Sequence, residues 1–411
     1  MKLNLLKLEN SIKNKILEPK NLIKVFMMII IFISIIIRIA MLKYQSEDYI
    51  SFLEKWFYKI KELGGFAALK ENIGDYNVPY MCIMAALTYI PISPLITIKT
   101  VSIIFDFIGA IFCALLVYEI LKEKRNSKII ACVTFCIILL LPTIFINSAL
   151  WGQCDIIYVT FIIMSLYLLY KDKTILSFIC LGVSFAFKLQ FIFILPLYAL
   201  LYFKREDISI AHFFIIPLTN FLLCLPAIIA GRKISDCILI YFNQTGTYKD
   251  LTANYPNLYN IFREFFENQT IVLVILTVAI VAMLMFFFLY KKIQIKENIV
   301  RIALILSVSM VFFLPRMHER YGFLPEILSV LYVIIYKKDY YFPIVLQFST
   351  LYTYHVFLSG NWDNYEIFIN IVSIIQFISI IKFTIDNTLF LNNEEESRCA
   401  ENNLEVIGKN E

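Results

Sequence analysis

The sequence has little charge, and this scarcity excludes most soluble folds. Only 17% of its 411 residues are Asp, Glu, Lys or Arg, whereas 60% are hydrophobic and the mean hydropathy is +0.75. Many apolar runs reach the ~18 residues that cross a bilayer. The expected fold class is therefore all-α, a polytopic bundle of transmembrane helices. The net charge of +5 is modest and its basic residues cluster between apolar runs, so no nucleic-acid partner is expected.

Metal-binding and disulfide motifs are also missing. The nine cysteines lie mostly inside apolar runs, without a Cys-x-x-Cys pair or a nearby histidine. This spacing argues against both a zinc site and a disulfide framework. We expect the cysteines to be buried as small apolar residues.

The basic clusters predict the topology. With a cytoplasmic N terminus, about twelve spans (eleven or thirteen are also compatible) place every short Lys/Arg cluster inside. Residues 79–91 must then not cross, and this segment is short enough to be re-entrant or tilted. The predicted spans are 22–40, 95–121, 128–146, 152–170, 174–187, 190–203, 209–230, 269–290, 298–314, 321–336, 340–357 and 363–384.

Three regions follow from this topology. Residues 1–21, in which lysines alternate with leucines and isoleucines, predict an amphipathic helix on the inner leaflet. Residues 22–390 form the transmembrane domain, and 22–40 is interpreted as a span because no small-residue cleavage site follows it. Residues 391–411 are acidic and predict a disordered cytoplasmic tail.

Two outer loops are long enough to carry function. In the first, at about 41–78, apolar residues between Tyr49 and Ile60 recur at helical spacing and predict a surface helix that Gly64-Gly65 ends. A second short helix is expected at 66–72. The second loop, at about 231–268, has tyrosines that could either contact sugars or be ordinary interfacial residues. They are Tyr241, Tyr248, Tyr255 and Tyr259.

Polar side chains that are costly near hydrocarbon fall mainly on the outer face. Pro315-Arg-Met-His-Glu-Arg-Tyr321 places two arginines, a histidine and a glutamate between two apolar runs. Asp48, Asp155 and Lys188 fall on the same face, as do all three tryptophans. This distribution predicts an outward-facing cavity within the membrane domain.

Each of these features also has a structural interpretation. The tryptophans could form an interfacial belt, and Asp48 and Asp155 could be helix starts. Asp106 could bond a neighbouring helix or belong to the site. Lys188 could extend toward the interface or bind phosphate. Residues 315–320 could be a solvated loop rather than a partly immersed turn.

As a set, the polar segments resemble the GT-C superfamily of integral membrane glycosyltransferases. More narrowly, they resemble bacterial proteins related to the second mannosyltransferase of the GPI-anchor pathway. The resemblance covers roughly residues 40–330. It rests on the acidic start of the first loop and on the segments Asp75-Tyr-Asn-Val-Pro-Tyr80, Asn147-Ser-Ala-Leu-Trp-Gly-Gln-Cys-Asp155, Phe187-Lys-Leu-Gln190 and Pro315 to Tyr321.

The resemblance implies an inverting transfer of a hexose, with mannose as the candidate. The donor would be a polyprenyl-phosphate sugar and the acceptor a glycan or a lipid-linked molecule. It implies a multi-pass protein of the bacterial cell membrane whose active site faces outward. Asp48 would be the base, with Glu47 as the alternative.

The remaining site residues also follow from the resemblance. The donor phosphate would be held by Arg320, Arg316, His318 and Lys188, because a leaving phosphate needs fixed cations. Sugar or acceptor would contact Asp75, Tyr76, Asn77, Trp151, Gln153, Asp155, Gln190 and Glu319. No cofactor is expected, although a divalent metal remains the alternative. The first loop lacks the Asp-x-Asp pattern of metal-using oligosaccharyltransferases, and Glu47-Asp48 inverts the Asp-Glu pair typical of protein O-mannosyltransferases.

Two other functions are compatible with a polytopic membrane protein. A flippase or transporter of lipid-linked sugars is disfavoured because no internal repeat is evident. A polymerase or ligase of lipid-linked glycans typically has a dense basic group in a late outer loop. Loop 231–268 has only Arg232, Lys233, Lys249 and Arg263.

Overall fold

The computed structural model describes residues 9–10, 13–15, 18–241, 250–266, 269–291 and 293–388. These residues form helices and turns, with isolated bridges in place of strands, which confirms the all-α class. The predicted tail at 391–411 lies outside the described residues, as does much of the predicted N-terminal amphipathic segment. Six of the eight described cysteines are buried, as expected for small apolar residues.

The helices group into two compact units. The first comprises Met1–Phe187 and Asn220–Cys237. Its helices are α1 (Pro19–Met41), α2 (Glu54–Glu62), α3 (Val78–Leu87), α4 (Pro94–Ile120), α5 (Ser127–Leu140), α6 (Pro142–Phe145), α7 (Asp155–Tyr170) and α8 (Thr174–Phe187). Wide π-type turns at Tyr49–Leu53 and Ile146–Trp151 and a 3₁₀ helix at Gly65–Lys70 complete it.

The second unit comprises Lys188–Thr219 and Ile238–Glu411. It opens with a 3₁₀ helix, Leu189–Ile194, and continues with α9 (Leu195–Lys204) and α10 (Ile210–Phe213). Two helices, α11 (Ile215–Ile229) and α12 (Ile234–Ile238), run across the chain boundaries of the units. The remaining helices are α13 (Leu258–Ile261), α14 (Arg263–Phe266), α15 (Thr270–Tyr290), α16 (Ile295–Phe313), α17 (Phe323–Tyr336), α18 (Tyr341–Ser359) and α19 (Tyr365–Thr388).

Each predicted span is largely helical, in one or two helical segments, but the number of crossings stays a prediction. Among the described residues, five helices are long and apolar enough to cross a membrane: Asn21–Met41, α4, Ile210–Ile229, α15 and α19. The predicted span 128–146 is broken, because Leu141 before Pro142 is extended and the chain bends by 48° there. If α5 and the segment after the bend count as one span, the total is six.

The first outer loop has the predicted helices. The turn Tyr49–Leu53 continues into α2, which buries Phe57 and Ile60. Gly64 ends the segment with φ +88°, a conformation that favours glycine. The second expected helix, at 66–72, is a 3₁₀ helix at Gly65–Lys70.

A buried ion pair connects the helices of the first unit. Arg38 of α1 donates from Nε to Asp106 Oδ2 of α4 at 2.8 Å, and both residues are at most 1% exposed. Ser148 Oγ donates to the same carboxylate oxygen at 2.6 Å, and Arg38 also donates to the Leu139 carbonyl at the end of α5. Asp106 therefore bonds neighbouring elements. Of its two interpretations, a bond to a neighbouring helix or a place in the site, this is the structural one.

We expect Arg38→Met to lower the free energy of unfolding by about 3–5 kcal/mol, because it leaves the Asp106 carboxylate buried without its counter-charge. The double variant Arg38→Met with Asp106→Leu should recover much of that loss, since neither charge is then desolvated. Reversible unfolding of the purified protein in mixed micelles measures both. Arg125→Met, at an exposed arginine, is the control. A double variant as unstable as the sum of the two singles would contradict this account.

Candidate active site

The start of the first outer loop is held by a lysine of α4. Lys99 is fully buried, and its Nζ donates to the carbonyls of Met41 at 3.2 Å, Leu42 at 3.4 Å and Tyr44 at 2.6 Å. A cation suits this position because carbonyls at the C-terminal end of α1 carry partial negative charge. Through Tyr44, Lys99 fixes the chain four residues before Asp48.

Ser46 joins this segment to the turn that carries Trp151. Its hydroxyl donates to the Trp151 carbonyl at 2.7 Å and accepts from the backbone N–H of Tyr49 at 3.2 Å. The second bond is a helix cap, so Ser46-Glu-Asp48 is a helix start, as its sequence indicates. The first bond ties that start to a residue 105 positions later.

Two N–H donors converge on Asp48. Its Oδ2 accepts from Trp151 Nε1 at 2.9 Å and from Gln153 Nε2 at 2.5 Å. The carboxylate is half-buried, whereas Glu47 beside it is exposed and accepts from Ser51 Oγ at 2.6 Å. The two acidic neighbours therefore have different surroundings, and Asp48 is the oriented one.

Aromatic rings extend this group. Tyr76 donates to Gln153 Oε1 at 2.9 Å, and its ring packs edge-on against Trp56 and Tyr80. Trp56 in turn covers Gly74, where a Cβ would lie 2.6 Å from the indole. The close approach of ring to backbone at Gly74 requires glycine.

The turn between α6 and α7 is closed by its own polar residues. The Asn147 side chain donates to the Asp155 carboxylate at 2.9 Å, and its backbone carbonyl accepts from Gln153 N at 2.9 Å. Asp155 is 1% exposed in the first turn of α7. Trp151 is fully buried, so the belt interpretation is wrong for this tryptophan, whereas Trp362 is 46% exposed.

Two other predicted residues lie on the same loop. Asp75 is exposed. Asn77 is fully buried: its Oδ1 caps α3 by accepting from Val78 N at 2.8 Å, and its Nδ2 donates to Asn220 at 3.0 Å. Both the oxygen and the nitrogen of the Asn77 amide are therefore hydrogen-bonded within the protein.

In the second unit, residues 315–321 form a turn between α16 and α17. Glu319 is 1% exposed and accepts from Arg320 at 3.0 Å, while His318 Nδ1 lies 4.0 Å from its other oxygen. Arg320 and His318 are half-buried, with 17% and 16% of their side chains exposed. This burial by protein argues against a solvated loop, and immersion of the turn in the membrane stays a prediction.

The second outer loop lies against that turn, which the sequence did not indicate. Arg316 N donates to the Leu251 carbonyl at 2.7 Å, and Ala253 N donates to the Met317 carbonyl at 3.0 Å. Arg316 has φ +63°, which costs a non-glycine residue about 1–2 kcal/mol. At Gly322, a Cβ would lie 2.8 Å from the Tyr255 ring.

Three of the four tyrosines of this loop are buried and are not available as sugar-stacking surfaces. Tyr255 is 1% exposed and accepts from Gln376 at 2.8 Å, and Tyr259 is fully buried and donates to the Phe313 carbonyl. Burial raises the pKa of Tyr259 to about 12. Tyr241 is also buried, and Tyr248 lies outside the described residues.

Lys188 lies in the second unit, at the break between α8 and the 3₁₀ helix. Its backbone is extended, so the helices break between the predicted spans 174–187 and 190–203, and the residue is 5% exposed. Gln190, two residues later, is half-buried. No group of three or more His, Cys, Asp or Glu side chains converges within the described residues. That the protein requires no cofactor stays a prediction.

The fold defines the class: an all-α protein with several helices long and apolar enough to cross a membrane. The model of Glycosyltransferase family 87 matches residues 76–315, more than half of the chain. The protein therefore belongs to glycosyltransferase family 87 and is a multi-pass, GT-C-like membrane glycosyltransferase. No curated protein matches the chain.

The family match covers only part of the predicted site. It includes Tyr76, Trp151, Gln153, Asp155 and Lys188 but ends at Pro315 and begins after Asp48. Asp48 and the 316–320 turn are therefore supported by geometry rather than by the match.

We expect Lys99→Met to lower kcat about 10- to 100-fold, because three carbonyls lose their donor and a shift of about 1 Å at Asp48 is enough for such a loss. Initial rates of sugar transfer, with the thermal midpoint as a folding check, measure the effect. Lys43→Met, at an exposed lysine of the same segment, should keep its rate. Unchanged kcat in folded Lys99→Met would contradict the positioning role.

Proposed function

We propose that the protein is an inverting glycosyltransferase that moves a hexose, with mannose as the specific candidate, from a polyprenyl-phosphate donor. The acceptor is a hydroxyl of an extracytoplasmic glycan or lipid-linked molecule at a bacterial cell membrane. The observation that carries this proposal is the convergence of Trp151 and Gln153 on Asp48.

Asp48 is the proposed base. It takes the proton of the acceptor hydroxyl while that oxygen attacks the anomeric carbon, and the bond to the lipid phosphate breaks on the opposite face. Two N–H donors on one oxygen fix the carboxylate plane before substrate arrives, which is the pre-organisation that general-base catalysis needs. The exposed position of Glu47 and its bond to Ser51 favour Asp48 over this neighbour.

Gln153 and Tyr76 are proposed to contact sugar or acceptor as well as to orient Asp48. Their shared hydrogen bond places a phenol and an amide beside the carboxylate. Asn77 is left out of the proposed site because its amide is already used as a helix cap. Asp155 supports the turn that carries Trp151, through its bond with Asn147.

In the second unit, Arg320 and Arg316 are the proposed phosphate ligands, with His318 and Lys188 as further donors. Guanidinium groups are permanently charged and match phosphate oxygens in two-point contact. The buried Glu319 holds Arg320 in one orientation, which supports an orienting role for this glutamate. The strained backbone at Arg316 is the kind of feature that concentrates at functional sites.

Membership of a glycosyltransferase family removes the support for a transporter or flippase. A polymerase or ligase of lipid-linked glycans differs from the proposal in its donor, which would be a lipid-linked oligosaccharide rather than a single sugar on a lipid phosphate. The donor panel below separates the two.

We expect Asp48→Asn to lower kcat about 10²- to 10⁴-fold, the usual contribution of a general base. Purified protein in lipid is incubated with radiolabelled polyprenyl-phosphate mannose, glucose or galactose, with a lipid-linked oligosaccharide, and with nucleotide sugars alone. Glu47→Gln is the matched control and should remain near wild type. Full activity of Asp48→Asn would overturn the assigned base, and turnover with nucleotide sugars alone would overturn the donor class.

Arg320→Ala should lower the transfer rate about 10²- to 10³-fold, because a developing phosphate charge loses a fixed donor. Arg320→Lys should recover only part of that rate, since an ammonium group cannot make the two-point contact. Arg263→Ala, at an exposed arginine of the same unit, is the control. Equal rates for Arg320→Ala and Arg263→Ala would remove Arg320 from the site.

A further inference from the structure

The second unit contains a buried guanidinium, that of Arg301, which takes no part in the proposed reaction. Arg301 lies in the N-terminal part of α16 and is 5% exposed. Its guanidinium carbon lies 4.5 Å from the ring centre of Tyr336 and 5.9 Å from that of Tyr332, both on α17. The charge is thus enclosed by protein, just after the polar first turn of α16 and before its long apolar stretch.

Within the described part of the chain, no Asp or Glu side chain forms an ion pair with Arg301, although Glu297 lies one helical turn before it on α16. Arg301 makes no ion pair or hydrogen bond there, and its buried Nε has no partner. Asp339, on the link after α17, is already engaged: it accepts from Tyr332 at 2.8 Å and from Asn387 at 3.0 Å. Tyr336 donates to the backbone carbonyl of Glu297, so its hydroxyl is also engaged.

A buried cation without a counter-charge is strongly unfavourable, and contact with two aromatic faces offsets only part of the lost hydration. The contrast with Arg38 is direct, because that arginine has a carboxylate and two carbonyls as partners. Arg301 has the rings that would orient a guanidinium but not the anion that would neutralise it.

The surroundings carry further positive charge. Lys337 and Lys338 follow Tyr336 directly and are exposed, and Lys296 is exposed at the start of α16. In the topology predicted from the basic clusters, this end of the unit is cytoplasmic. Anionic headgroups make that leaflet surface negative and attract such basic segments.

We propose that Arg301, oriented by Tyr332 and Tyr336, binds a phosphate-bearing anion at this end of the second unit. The planar guanidinium presents paired N–H donors that match phosphate oxygens. The ligand is either the headgroup of an anionic phospholipid or free phosphate, and the site is independent of the proposed transfer reaction.

The test uses the full chain in neutral detergent. Native mass spectrometry measures retention of phosphatidylglycerol against phosphatidylcholine, whose choline offsets the phosphate charge, and thermal unfolding measures stabilisation by inorganic phosphate. We expect wild type to prefer phosphatidylglycerol about tenfold, and Arg301→Gln to lose this preference. Arg205→Gln is the control, because Arg205 belongs to the same unit and is paired with Asp207 at 2.8 Å.

The outcomes are distinct. Arg301-dependent stabilisation by inorganic phosphate supports a phosphate site, and Arg301-dependent retention of phosphatidylglycerol alone supports a headgroup site. If Arg301→Gln does not fold, Arg301→Lys replaces it and should show a reduced preference. A wild type that binds neither anion selectively overturns the proposal, as does an equal loss of binding in Arg205→Gln.

Discussion

The first unit depends on two buried charges on one face of α4. Lys99 and Asp106 are seven residues apart, which is about two helical turns or roughly 10 Å along the axis. Asp106 binds Arg38 in the last turn of α1, and Lys99 binds the carbonyls where that helix ends. A charge in an apolar helix is unfavourable until an opposite charge or a set of carbonyl dipoles compensates it. These two contacts therefore fix the position of α1 along α4 and the residue at which α1 ends.

The candidate site follows from this anchoring. Asp106 also accepts from Ser148, in the turn that carries Trp151, so a single carboxylate positions both the helix before Asp48 and the turn that donates to it. Ser46 then joins the two segments directly. The proposed base is therefore positioned by the anchored segment just before it as well as by its own donors, which fixes the helix start that carries it.

Local patterns in the sequence predicted most helices well, because apolar runs and Gly64 act on residues close to them in the chain. The same holds for the extended break at Lys188 and for the polar turn at 315–321. The break before Pro142 was not predicted, since the apolar run continues through it. Partnerships across 68 or 105 residues, such as Arg38 with Asp106 and Ser46 with Trp151, carry no local signal. The loop tyrosines were ambiguous for a similar reason. The sequence around a tyrosine looks the same whether its ring faces a sugar or, like that of Tyr255, the protein core.

The central claim is that Asp48 acts as a base whose orientation Trp151 supplies. The most direct measurement is the kcat of Trp151→Phe with saturating donor and acceptor, because this change removes the indole N–H donor and keeps an aromatic ring. The account predicts that kcat falls about tenfold or more, while the KM values and the thermal midpoint show that substrates and fold are retained. A folded Trp151→Phe protein with the kcat of wild type would contradict it.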